Sequence, residues 1–171
     1  MFGFWQKSAR EAQAPEAAVE LAATVRSALP QADDESVLVV AAIAGLLAAV
    51  AYADREFSPL ERQRAREALQ QVNGMTPEGV EAICQVIQRH VLEIATTEVP
   101  HNCRTLREIA DRELRRQVLS LLLQLAAADD RITAAETNVL RQITTSLGLT
   151  QTDYNEMQAA YRDRLEVLMH S

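Results

Sequence analysis

Glycine and proline are scarce in this 171-residue chain, five of each, and aromatic residues make up only 4% of it. Sheets draw on aromatic and β-branched residues joined by glycine-rich turns. Their scarcity, beside abundant alanine, leucine, arginine, glutamate and glutamine, excludes a β-rich fold and predicts an all-α one. Cysteine is scarcer still: Cys84 and Cys103 do not make a disulfide framework, and free thiols in a reducing cytoplasm are the expectation. Positive charge is also short. Seventeen Lys and Arg against 24 Asp and Glu leave a formal charge of −7 and a pI near 5.0. That excludes a general nucleic-acid binder, because phosphate contacts need a basic face. The arginine runs Arg62, Arg64, Arg66 and Arg112, Arg115, Arg116 read as solvated helix faces.

Catalytic signatures are missing too. There is no nucleophile elbow, phosphate loop or dinucleotide fingerprint, so an enzyme is not expected. Glu98-Val-Pro-His101 has the spacing of a di-iron helix, but Pro100 is expected to break that helix, and no second copy exists. Cys84, His90, His101 and Cys103 lack zinc spacing, and Cys84 reads as a small buried hydrophobe. The start Met1-Phe-Gly-Phe-Trp5-Gln-Lys7 is aromatic but too short for the apolar core of a secretory signal. Residues 1–14 are expected to form a flexible lead-in, with contact between a membrane surface and the stretch from Met1 to Trp5 as the alternative.

One long apolar run is present, the uncharged residues 37–53. As a helix it spans roughly 26 Å, just under the thickness of a bilayer core. Its alanine content and acidic flanks point instead to a central helix apolar all round and buried in a bundle. A membrane-associated scaffold anchored by this helix is the competing reading.

The run ends in a corner that occurs twice: Ala51-Tyr-Ala-Asp54-Arg-Glu-Phe57-Ser58-Pro-Leu-Glu61 and Ala126-Ala-Ala-Asp129-Asp-Arg-Ile132-Thr133-Ala-Ala-Glu136. Each copy closes an apolar helix at an Asp and restarts with Ser or Thr three residues before a Glu, the signature of a capping box. A shift of 75 residues superposes Asp54 on Asp129, Ser58 on Thr133 and Glu61 on Glu136. This reads as an internal repeat with corners near residues 37–74 and 112–148.

About seven or eight helices follow from the breakers and stripes, packed as one bundle over residues 15–171. The first starts at Pro15 with Val19, Ala22, Ala23, Val25 and Leu29 as buried candidates. The helix after Ser58 carries Leu60, Ala65, Ala68, Leu69 and Val72 and ends at Asn73-Gly74. The next opens at Thr76 with Val80, Ile83, Ile87, Val91 and Ile94, and cannot pass Pro100. A short helical piece from Arg104 to Ala110 precedes the second central helix, with Leu114, Val118, Leu121, Leu122 and Leu125. The last two are capped at Thr133 and at Thr150 or Thr152.

Over residues 35–158 each copy resembles the helical-pair repeat of the tellurite-resistance TerB family. The chain is also similar to the domain that precedes the J domain in membrane-anchored DnaJ-like co-chaperones, although it has no His-Pro-Asp triplet. The family pattern is a small-residue helix ending in Ala-Asp-Gly, then an apolar residue, a Ser or Thr, and a Glu. Asp54, Phe57, Ser58 and Glu61 match it in the first copy, and Asp129, Ile132, Thr133 and Glu136 in the second. Arg55 and Asp130 stand where the glycine would. The resemblance implies an all-helical, non-enzymatic, stress-associated domain in the cytoplasm, with a protein partner and with acids able to bind Mg, Ca or Mn. Asp54, Glu61, Asp129 and Glu136 are the candidate metal ligands. Two readings of them stand side by side. A pseudo-twofold packing would converge four carboxylates on a hard cation. Alternatively Glu61 and Glu136 only cap helices, and Asp54 and Asp129 bond the backbone of their corners.

Overall fold

In the computed structural model residues 15–55, 58–127 and 132–169 are described, with side chains as far as Tyr161 in the last helix. They form eight helices and no strand: α1 (Glu16–Ala28), α2 (Asp34–Ala51), α3 (Pro59–Gln70), α4 (Pro77–Thr97), α5 (Val99–Ile109), α6 (Arg112–Ala126), α7 (Ala134–Ser146) and α8 (Gln151–Met169). Residues 1–14, with the aromatic start, and the corner residues Phe57, Asp129 and Asp130 lie outside the described residues.

The helix starts follow local chemistry. Asp33 accepts from Ser36 N at 2.7 Å to begin α2, Thr76 from Gly79 N at 3.1 Å to begin α4, and Asp111 from Leu114 N at 2.8 Å to begin α6. Each cap satisfies an amide that the helix itself leaves unpaired, typically contributing about 1 kcal/mol. Gly74 and Gly148, with φ of 85° and 70°, turn the chain out of α3 and α7 in the left-handed conformation glycine takes without strain. Thr150 caps α8, accepting from Asp153 N at 3.1 Å while Asp153 Oδ2 accepts from Thr150 N at 2.9 Å.

α2 is the centre. It packs against α1, α3, α4, α5, α6 and α7, and from Ala44 to Ala51 every residue is buried. Among the described residues it is the helix long and apolar enough to cross a membrane by length and composition, yet most of it is enclosed by other helices. Around it, α4 contributes Val80, Ile83, Val86, Ile87 and Ile94, and α6 contributes Val118, Leu119, Leu122, Leu123 and Leu125.

Three expectations are corrected. α1 buries Ala17, Leu21 and Val25, with Leu29 just beyond its end, whereas Val19 is 56% exposed and Ala23 is also exposed. A four-residue step keeps one narrow face inward, and residues 19 and 23 fall on the other side. Leu60 is 40% exposed, because the inward position of that first turn is taken by Glu61, at 3%. α4 ends at Thr97, before Pro100 as expected, but Pro100 then stands in the first turn of a new helix: α5 begins at Val99 rather than near Arg104, so His101 and Asn102 are helical and Asn102 is buried. In a first turn the missing N–H of proline costs nothing.

Glu98 sits at the junction of α4 and α5 with no exposed surface, and its Oε1 accepts from Ala18 N at 3.1 Å near the start of α1. Its Oε2 has no hydrogen-bond partner among the described residues. Burial, and then the nearby Glu93, push its carboxyl above the ordinary glutamate range. The folded chain therefore holds this proton more tightly than the unfolded chain. The resulting stabilisation is complete below the ordinary glutamate pKa and is lost as pH rises through the raised native value. Glu98→Gln keeps the neutral shape, so urea unfolding between pH 4 and 8 is expected to show a shallower loss of stability than in the wild type; an equal or steeper loss would contradict this.

The turn after α2 holds a second strained feature. Arg55, where the family pattern has glycine, adopts φ 64°, and its amide donates to Tyr52 O at 2.9 Å. The glycine is absent but its backbone conformation is kept, at a cost of about 1–2 kcal/mol for a side-chain-bearing residue. Arg55→Gly is expected to raise unfolding stability by up to about 1 kcal/mol after the flexibility glycine adds to the unfolded chain, while Arg55→Ala leaves it nearly unchanged. Chemical denaturation distinguishes the two.

Candidate functional site

Ser58 opens α3 from an extended conformation, with Pro59 at the first helical position. Its Oγ accepts from Glu61 N at 3.1 Å, and its own amide donates to Glu61 Oε2 at 2.8 Å. Thr133 does the same for α7: Glu136 N donates to Thr133 Oγ1 at 3.2 Å, and Thr133 N donates to Glu136 Oε2 at 2.7 Å. Both capping boxes expected from the sequence are formed.

Unlike most capping glutamates, these two are buried, Glu61 at 3% exposure and Glu136 at 2%. They also meet: the Glu136 side chain is within hydrogen-bonding reach of Glu61. Burial, opposed by the Ser58 amide and reinforced by the facing Glu136, pushes the Glu61 carboxyl up to about 7. The pair thus brings together one acid from each repeated corner, although they lie far apart in the chain.

Two touching carboxylates removed from water cannot both stay charged without compensation. Each capping box supplies a backbone amide, and the positive end of a helix dipole lies behind each acid. A shared proton or a bound cation would complete the neutralisation of the pair. All-oxygen donors of this kind suit Mg, Ca or Mn rather than zinc.

The other two candidate ligands stand differently. Asp54 is half-buried just beyond α2 and is partnered, while Asp129 lies outside the described residues. Among the described residues no group of three or more His, Cys, Asp or Glu is placed to hold a metal. The remaining sulfur and imidazole groups are dispersed. Burial pushes the Cys103 thiol up to about 12, so it is not a thiolate. His90 Nε2 contacts Glu20 Oε2 at 2.5 Å, which also holds Arg89 through Oε1 at 2.6 Å, at a point where α4 kinks.

Sequence reasoning missed two buried acids. Glu98 carried no spacing signal beyond the discarded Glu-x-x-His pattern. Asp153 is 3% exposed and accepts from Arg112 Nη2 at 2.9 and 3.0 Å, which ties α8 to the start of α6. Its place three residues after Thr150 was legible as a cap, but its distant arginine partner was not.

The chain matches the family described as Tellurite resistance protein TerB over residues 40–159, a stretch that contains both capping boxes and both buried acids. No curated protein and no solved structure matches it significantly. With most of its length covered, including the doubled corner and the central helix, the chain belongs to the tellurite-resistance TerB family.

Proposed function

We propose that this TerB-family chain is a tellurite-resistance-type binding or sensor domain of the cytoplasm, acting on a protein partner rather than by catalysis, and that the Glu61–Glu136 pair holds a divalent cation. The observation that carries this reading is the contact of two buried capping carboxylates, one of them pushed up to about 7. A cation there neutralises the pair and clamps the start of α3 to the start of α7. Asp54 and Asp129 are the further oxygen donors of the proposed site. The burial of α2 supports this reading over a scaffold anchored in a membrane, and release of the chain without detergent on fractionation is the expected result.

The pH dependence follows from the direction of the Glu61 shift. The folded state binds this proton more tightly than the unfolded state, so the contribution of Glu61 to the stability of the metal-free protein is complete below the ordinary glutamate pKa. That contribution, on the order of 3 kcal/mol, is lost as pH rises to about 7. A cation competes with the proton and therefore acts mainly above that pH. Titrating chelator-stripped protein with Ca, Mg and Mn should raise its melting temperature at pH 8 by about 5–10 °C when the cation is at a hundred times its Kd, and hardly at all at pH 5. Glu61→Gln keeps a capping side chain but removes a charged oxygen. It should abolish most of the cation response and flatten the pH dependence. Equal cation shifts in wild type and variant would leave the acids as architecture alone.

A further inference from the structure

On the other side of the first corner, α2, α3 and α4 enclose a cavity of about 320 Å³. Its floor is apolar: Leu47 and Ala48 of α2, Ala65 and Leu69 of α3, and Ile87 and Val91 of α4. All but Val91 are buried, so the floor belongs to the packed core rather than to a surface dimple. The rest of the lining has the opposite character and includes Arg55, Arg62 and Arg66 with Tyr52 and Gln88, of which Arg55, Arg62 and Gln88 are exposed and so mark the mouth.

Two of the three arginines are already engaged, Arg62 with a partner of its own and Arg66 in an ion pair. Arg66 Nη1 binds Glu81 Oε2 at 2.6 Å, which shows that this rim accepts a carboxylate. Arg55 is exposed and makes no ion pair with a described residue, yet its backbone is held at φ 64°, where glycine would fit without strain. Residues held in such sparsely populated conformations cluster at ligand sites, where the surrounding packing holds them in place. An apolar floor with a cationic mouth matches a ligand with an alkyl body and one anionic end. The volume lies at the small end of ligand pockets, which admits a single short chain and not a two-chain lipid.

We infer that this cavity binds a medium-chain alkyl carboxylate, its chain laid along Leu47, Leu69 and Ile87 and its carboxylate between Arg55, Arg62 and Arg66. A sugar phosphate would leave the floor unmatched, and a neutral hydrocarbon would leave the arginines unmatched. The site is distinct from the acid pair and requires no metal.

Isothermal titration of the full chain in EDTA tests this without involving the cation, using octanoate, octanol and butyrate as probes. Octanoate is expected to bind saturably at one per chain, with octanol at least about tenfold weaker and butyrate weaker again, since each methylene lost from the apolar floor weakens binding by about fourfold. Arg55→Gln, and Arg55→Gln combined with Arg62→Gln, should weaken octanoate stepwise toward the octanol value with helix content unchanged. Ala65→Phe fills the floor and should abolish binding of both long probes. If that variant fails to fold, the arginine variants decide. No saturable octanoate binding, equal affinity for octanoate and octanol, or octanoate affinity unchanged by the loss of both arginines would overturn the assignment.

Discussion

α2 has no polar face, and that constraint sets the arrangement of the other helices. A helix apolar on every side must be covered on every side. Its alanines and Gly45 keep it thin, so six other helices reach it. At Gly45 the approach is closest: a methyl group there would collide with the amide of Asn102, buried on α5. Small side chains give each contact little area, and the enclosure is completed by larger residues from outside, Leu119, Leu122 and Leu123 on one flank and Ile83 and Ile94 on another. The C-terminal end of α2 is consequently fixed by the core, and the turn that leaves it has little freedom, which accounts for Arg55 being held in a conformation that favours glycine.

From that turn the chain enters α3, and the enclosure of α2 brings the start of α3 close to the start of α7. Glu61 and Glu136 are therefore not surface caps. Each does the local work of a capping box with Oε2 while its side chain faces the other acid in the interior. The same residues that define two helix starts create an interior site whose charge must be balanced. A capping role and a binding role are thus compatible here, because the first occupies only one oxygen of each carboxylate.

Features set within one or two helical turns were legible in the sequence. The capping boxes, the glycine exits and the burial of α2 depend on neighbours three or four residues away, or on a run too apolar to face water. The face of α1 was not, because alanines at Ala17, Ala18, Ala22 and Ala23 surround Val19 and Leu21 and offer little contrast between the two sides. Pro100 was legible as the limit of α4, but not as part of the first turn of α5. Partners distant in sequence left no pattern: Ala18 with Glu98 and Arg112 with Asp153 are separated by 80 and 41 residues. The convergence of Glu61 and Glu136 was foreshadowed by the repeat but not its closeness, and a cavity left by helix packing has no sequence signature at all.

The central claim is that Glu61 shares one buried environment with Glu136 and is held above the ordinary glutamate range by burial and by that facing acid. Carbon-13 NMR of the side-chain carboxyls in chelator-treated protein measures this directly. The account predicts a Glu61 transition near 7 that moves down when Glu136 is replaced by glutamine, since the burial remains but the facing charge is gone. A Glu61 carboxyl that titrates in the ordinary glutamate range, and does not respond to that replacement, would contradict it.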